Sequence, residues 1–159
     1  MKEQFLETWR INNRMNLLLL DNITETGLQK TLSTRGGRTI YLQLVHVHHV
    51  RMKWLEVCDK EIFKKYKPLP GFSSGDKAGL PDKKLLRKAF EHSGRGVEEL
   101  LAKGWDNGGK VKEFKKGVIP MLGYFISHES HHRGNILITL KQCGEKITDA
   151  VKWGLWEWS

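Results

Sequence analysis

Six of the seven histidines of this chain fall in two short stretches, HVHH at 46–49 and HESHH at 128–132. A fold that unites clusters about 80 residues apart must project side chains from both segments to one place, and helices do this at fixed spacings. With 3.6 residues per turn, residues four apart point within about 40° of each other. His128 and His132 can therefore send two imidazoles to one ion. His131 neighbours His128 at three residues' spacing but points about 60° to the other side. In the upstream stretch His46 and His48 are about 160° apart, so only one of them can face an interior. His46 shares an apolar side with Val50 and Trp54, which leaves His48 facing outward and His49 on the flank. His92 stands alone and reads as a surface or boundary residue. A single histidine on a helix usually just packs. Two at metal spacing with a third cluster available favour ligation, and the expected metal ligands are His46, His128 and His132.

Neutral imidazole suits several first-row ions, so one divalent zinc, nickel or iron ion is the expected cofactor. Three protein ligands leave positions open for water or substrate, which is the pattern of a catalytic site.

The rest of the chain reads as helices around that site. Residues 3–25 carry Phe5, Trp9, Leu19, Leu20 and Ile23 close to a 3.6-residue stripe, with no proline or glycine among them. STRGGR at 33–38 is a loop. A second helix is predicted over 39–65. Its β-branched start admits a strand at 39–45, but the unbroken run through RMKWLEVCDKEIF favours helix. Residues 67–81 hold three of the four prolines and three glycines. That is a connection longer than joins antiparallel neighbours, and it predicts a crossover that leaves the second and third helices running in the same direction. The third helix should start at Pro81 or Asp82, with Asp82 as cap, and end before Gly104 or Asp106. KVKEFKK at 110–116 has the look of a brief extended piece. A fourth helix follows over 117–142, with Pro120 in its first turn and Cys143-Gly144 at its end. The fold class expected is all-α: a four-helix bundle with a long crossover between helices 2 and 3, forming one domain over 1–159. The tail WGLWEWS, with Trp153, Trp156 and Trp158, is expected to close one end of the bundle, with a pocket or dimer-interface wall as the alternative.

Composition narrows the setting. No apolar run approaches the roughly 20 residues that span a bilayer, and the first residues, MKEQFLETWR, lack a signal peptide's pattern. A cytoplasmic protein that does not engage membranes is expected. Cys58 and Cys143 form no disulfide framework and read as passive thiols, each 11 or 12 residues from the nearest proposed ligand. The net charge of +9 comes mainly from lysine clusters at 64–67, 82–88 and 110–116, interleaved with acids. With no nucleic-acid-binding module beside them they read as solvated faces, so no nucleic-acid partner is expected.

A second reading uses the same letters. HESHH matches H-E-x-x-H, in which Glu129 would be the general base of a metallohydrolase. The extended signature is missing, since RGNILITLKQ brings no third histidine. Glu145, the available downstream carboxylate, falls just past the helix end.

GGRTIYLQLVHVHHVRMKWL resembles the second helix of the DinB-like family, and HESHHRGNILITL resembles its last-helix motif, in which H-x-x-x-H runs into Arg-Gly-Gln. TWRINNRMNLLLLDNI and WGLWEWS are similar to one branch of it. The resemblance implies an up-down-down-up four-helix bundle, often a homodimer, with one metal on three histidines. Carried over by position these are again His46, His128 and His132. Asn135 stands where the family usually has Gln. Candidate catalytic or orienting residues are Glu129, Arg133 and Asn135. Relatives of this fold include transferases that use bacillithiol, mycothiol or glutathione, so the resemblance implies a metal-dependent thiol S-transferase acting on a small-molecule substrate. The alternative is a non-catalytic metal-binding or stress-response protein.

Overall fold

The computed structural model describes residues 1–72 and 82–158. Within them the regular elements are helices: α1 (Lys2–Asp21), α2 (Glu25–Leu28), α3 (Ile40–Cys58), α4 (Lys60–Lys65), α5 (Lys83–Asp106), α6 (Val118–Gln142) and α7 (Asp149–Gly154). Most of the predicted connection at 67–81, and Pro81 as a helix start, lie outside the described residues. No helix among them is long and apolar enough to cross a membrane.

Short polar side chains decide where the helices begin. Thr39 Oγ1 accepts from the Leu42 N–H at 3.2 Å to open α3, so residues 40–45 are helical and not a strand. The Asp82 carboxylate accepts from the Leu85 N–H at 2.7 Å to open α5. Two predicted helices are shorter than the periodicity suggested, for the same reason. Thr24 starts α2 by accepting from the Gly27 N–H at 2.8 Å, and α1 has already ended at Asp21. Asp59 leaves helical geometry at φ −153° and ψ 98° and accepts from the Glu61 and Ile62 N–H groups, both at 3.1 Å. That divides 40–65 into α3 and α4. The lysine-rich segment at 110–116 is mostly turn, with a lone bridge between Val111 and Phe114.

The long helices share one interior: α1 packs on α5 and α6, and α3 packs on α5, α6 and α4. That interior is two apolar clusters separated by polar side chains. One contains Leu19, Leu20, Ile40, Leu44, Phe90 and Ile136; the other contains Leu6, Trp9, Leu55, Val97, Met121 and Phe125. Along each helix the polar residues fall between the two. They are Asn12 and Asn16 on α1, His48 and Arg51 on α3, Ser93 on α5, and Glu129 and Arg133 on α6, all buried. At this level α1 and α5 come very close. A Cβ on Gly94 would lie 2.5 Å from the Asn13 side chain, and the Gly94 carbonyl accepts from Trp9 Nε1 at 2.8 Å.

Two expectations fail on packing. His48 does not face outward; it is 1% exposed, edge-on to Phe72 with ring centroids 5.1 Å apart. Burial pushes its pKa down to about 3, with Arg51 and His49 adding to the shift and the backbone of Ala89 opposing it. The tryptophans of the tail do not close the bundle either. Trp153, Trp156 and Trp158 are exposed, while Val151 is buried in the first cluster and Leu155 packs against it.

Candidate metal centre

The site begins with how α6 is held. Glu129 and Arg133 repeat the four-residue spacing of His128 and His132, one residue further on and so about 100° around the helix. The inner pair is anchored. Arg51 Nε and Nη2 donate to Glu129 Oε1 and Oε2 at 2.6 and 2.8 Å, a two-point ion pair with both side chains fully buried. Asn12 and Asn16 each donate an amide to Glu129 Oε2 at 2.6 Å. Their carbonyl oxygens accept from Arg133 Nη1 at 2.8 and 2.9 Å. Arg51 also donates to Asn13 Oδ1 at 2.8 Å, and its guanidinium lies 4.9 and 5.0 Å from the ring centroids of Trp9 and Phe90. With Glu129 and Arg133 fixed inward, the other pair on α6 is turned toward α3.

There it meets His46. One ring nitrogen from each of His46, His128 and His132 lies within 4.8 Å of the others, and among the described residues this is the one such group that could hold an ion. The Nε2 atoms of His46 and His128 face each other at 3.4 Å. Two nitrogens bound to zinc at 2.0–2.1 Å and at the tetrahedral angle are about 3.4 Å apart, so the His46–His128 pair is at ligand spacing, and with His132 the group could hold a first-row ion. Burial lowers the pKa of all three rings, and that of His132 falls to about 4, with the charges of His128 and His46 next in importance. The positive charge of Arg38 pushes His46 and His132 in the same direction. The rings are thus neutral near pH 7, the form that ligates.

Supporting contacts hold the rings in place. Gln43 Oε1 lies 3.4 Å from His132 Nδ1, where it can accept from that nitrogen and leave Nε2 for an ion. Tyr124 stacks on His128, with centroids 6.0 Å apart and planes within 10°. The His128 Nδ1 is buried with no hydrogen-bond partner. His132 lines a cavity of about 380 Å³ with Arg38, Gln43 and Asn135.

The other sequence candidates lie elsewhere or are already engaged. Glu129 is 1% exposed and committed to Arg51, Asn12 and Asn16. The metallohydrolase reading needs that carboxylate free beside the ion, and the core holds it instead. Arg133 is tied into the same core contacts. Asn135 is exposed, with Nδ2 3.0 Å from His131 Nε2. Glu145 meets Thr24 Oγ1 at 3.3 Å and Lys30 Nζ at 3.7 Å. His49 Nε2 lies 2.8 Å from the Phe72 carbonyl, and His92 packs on Tyr66. Cys58 is buried, and burial pushes its thiol up to about 11.

Sequence reasoning missed Arg38, Gln43 and Tyr124 around the histidines, and Asn12, Asn16 and Arg51 beneath them. One signal was available. Asn12 and Asn16 are two amides four residues apart on a helix whose apolar stripe they interrupt, the mark of a buried polar network.

No curated protein and no solved structure matches the chain. The family model described as the DinB family matches residues 1–151. That match covers nearly all of the 159 residues, and the chain belongs to the DinB family.

Proposed function

We propose that this protein is a metal-dependent enzyme that transfers a small thiol, of the bacillithiol, mycothiol or glutathione type, to a small electrophile. The observation that carries the reading is three neutral imidazoles close enough to share one ion, one of which, His132, also lines a cavity with Arg38, Gln43 and Asn135. His46, His128 and His132 would hold zinc, nickel or iron. When bound, such an ion lowers the pKa of a thiol or water at its open position and so supplies a nucleophile near neutral pH. The remaining work falls to the chain. Gln43 sets the orientation of the His132 ring. The Arg38 guanidinium, in the cavity wall, is placed to pair with an acidic group of the thiol or the electrophile. Asn135 offers a side-chain amide on the same wall. Cys58, buried with a raised pKa, is not a nucleophile.

The same reading gives the chain one domain over 1–159, an up-down-down-up four-helix bundle, a homodimeric assembly and a cytoplasmic setting. Contacts between the helices support the bundle directions. Lys2 pairs with Asp106 and Asp21 with Arg87, which opposes α1 and α5. Arg51 meets the Phe90 carbonyl and Asp59 meets Lys103, which aligns α3 with α5. His46 meets His128 and Trp54 meets Tyr124, which opposes α3 and α6.

The test is a screen of metal-loaded wild type and His132→Ala against thiol–electrophile pairs. Turnover that depends on both the metal and His132 is the expected result. Inactivity of fully loaded wild type across the screen would favour a non-catalytic metal-binding role.

A further inference from the structure

A second cavity lies on the other side of α6 from the histidines, between α1, α6 and the aromatic tail, and holds about 340 Å³. Its walls are apolar: Met15, Ile126, Leu137, Leu155, Trp156 and Trp158. Arg133 is the one charged group in its lining, beside Ser130; Thr8 and Asn12 also line it, but they already donate to the Gln4 carbonyl and to Glu129. Arg133 is 8% exposed and donates from Nη2 to Ser130 Oγ at 2.8 Å. The surroundings of Arg133 are short of negative charge. Two buried guanidiniums, Arg51 and Arg133, share one buried carboxylate, Glu129, and the two-point bond to Glu129 belongs to Arg51. The Nη groups of Arg133 reach only neutral oxygens, on Asn12, Asn16 and Ser130. A buried cation so placed is costly unless an anion reaches it, and the cavity is a route by which one can. The size and apolar walls fit a small-molecule pocket with few polar groups that fix orientation.

We infer that this cavity is a binding site for an amphiphilic carboxylic acid, its carboxylate on Arg133 and Ser130 and its apolar body between α1, α6 and the indoles of Trp156 and Trp158. The site is separate from the histidine cluster and does not rest on the thiol-transfer reading. The tail is held over the cavity at two points. The Glu157 carbonyl accepts from Arg14 Nη2, and Gly154 packs so closely on Leu18 that a Cβ there would lie 2.6 Å from Leu18 Cδ2. An acid in the cavity would lay its chain along the exposed faces of Trp156 and Trp158. Their fluorescence should report it.

The test is titration of the full chain with decanoate, with decanol as the uncharged control, by calorimetry and tryptophan fluorescence. Decanoate should bind at one site per chain at least tenfold more tightly than decanol. Arg133→Gln should bring the two ligands within about twofold of each other. Because Arg133 also bonds to Asn12 and Asn16, that variant risks misfolding, and Gly134→Leu is the second probe. Gly134 lines the cavity, and a Cβ there meets nothing within 4 Å. The leucine should therefore fold normally, fill the cavity and abolish decanoate binding. Three results would overturn the site: no decanoate binding by wild type, decanol binding as tightly as decanoate, or unchanged binding in a folded Gly134→Leu. A dimer in sedimentation that Trp156→Ala dissolves, with no decanoate uptake, would make the face an interface between copies instead.

Discussion

Glu129 is one residue from a proposed metal ligand, yet it serves the core. Its carboxylate neutralises Arg51, and both are fully buried. Removing one partner of such a pair leaves an uncompensated charge and typically costs about 3–5 kcal/mol. Urea unfolding of Glu129→Ala should show a loss of that size, and the turn of α6 that aims His128 and His132 should loosen with it. A loss under about 1 kcal/mol, the scale of an exposed ion pair, would mean the pair is not dry. The placing of the histidines shows what can be read from residues alone. His46, His128 and His132 come together because helical spacing fixes which rings share a face. His48 was misplaced for a physical reason. The expectation assumed one covered side for its helix, whereas α3 packs on both α5 and α6, so two nearly opposite faces are buried.

At the scale of the elements, the outer bounds of the long helices were legible, α6 ending at Gln142 as Cys143-Gly144 suggested, and the interruptions within them were not. Asp82 caps α5 as its position suggested, because an Asp before an amphipathic run has an N–H to accept from. Nothing in the apolar periodicity marks Asp59, where the helix stops and restarts. Burial alone would raise the Asp59 carboxyl, but the hydrogen bond from Lys103 and those from the Ile62 and Glu61 N–H groups outweigh it and hold its pKa below the usual range. Asp59→Ala should cost about 1 kcal/mol near neutral pH, the usual loss for a helix cap. The sign with pH is fixed. A carboxyl whose pKa is lowered by folding contributes above its unfolded value, near 4, and loses that contribution as pH falls through the folded value. The gap between wild type and Asp59→Ala should therefore shrink in unfolding curves taken below about pH 4. Gly94 gives the opposite lesson. Alanine is the better helix former by about 1 kcal/mol, and an isolated α5 would gain from Gly94→Ala. In the folded chain its Cβ would press on Asn13, which holds Arg51. Overpacking of this kind costs about 1–3 kcal/mol, so a net loss of stability is expected in thermal unfolding.

For the molecule as a whole, the all-helical class followed from periodicity. The layering of the interior did not, because a polar layer forms only when residues from four helices meet at one level. Asn12, Arg51, Ser93 and Glu129 are 117 residues apart at the extremes, and beyond the paired amides of α1 nothing local marks that meeting. The histidine group joins α3 to α6, so an ion bound there should hold the folded chain together. A ligand that binds only the native state stabilises it by about 2.7 kcal/mol at a hundredfold excess over its dissociation constant. Zinc should accordingly raise the melting temperature of wild type and leave that of His132→Ala unchanged, and equal shifts in both would place the ion elsewhere. The most direct test of the central claim is elemental analysis of untagged protein purified without chelators, wild type beside His132→Ala. About one first-row ion per chain in wild type, lost in the variant, is the result expected. No metal in wild type after reconstitution, or equal metal in both proteins, would contradict the three-histidine centre.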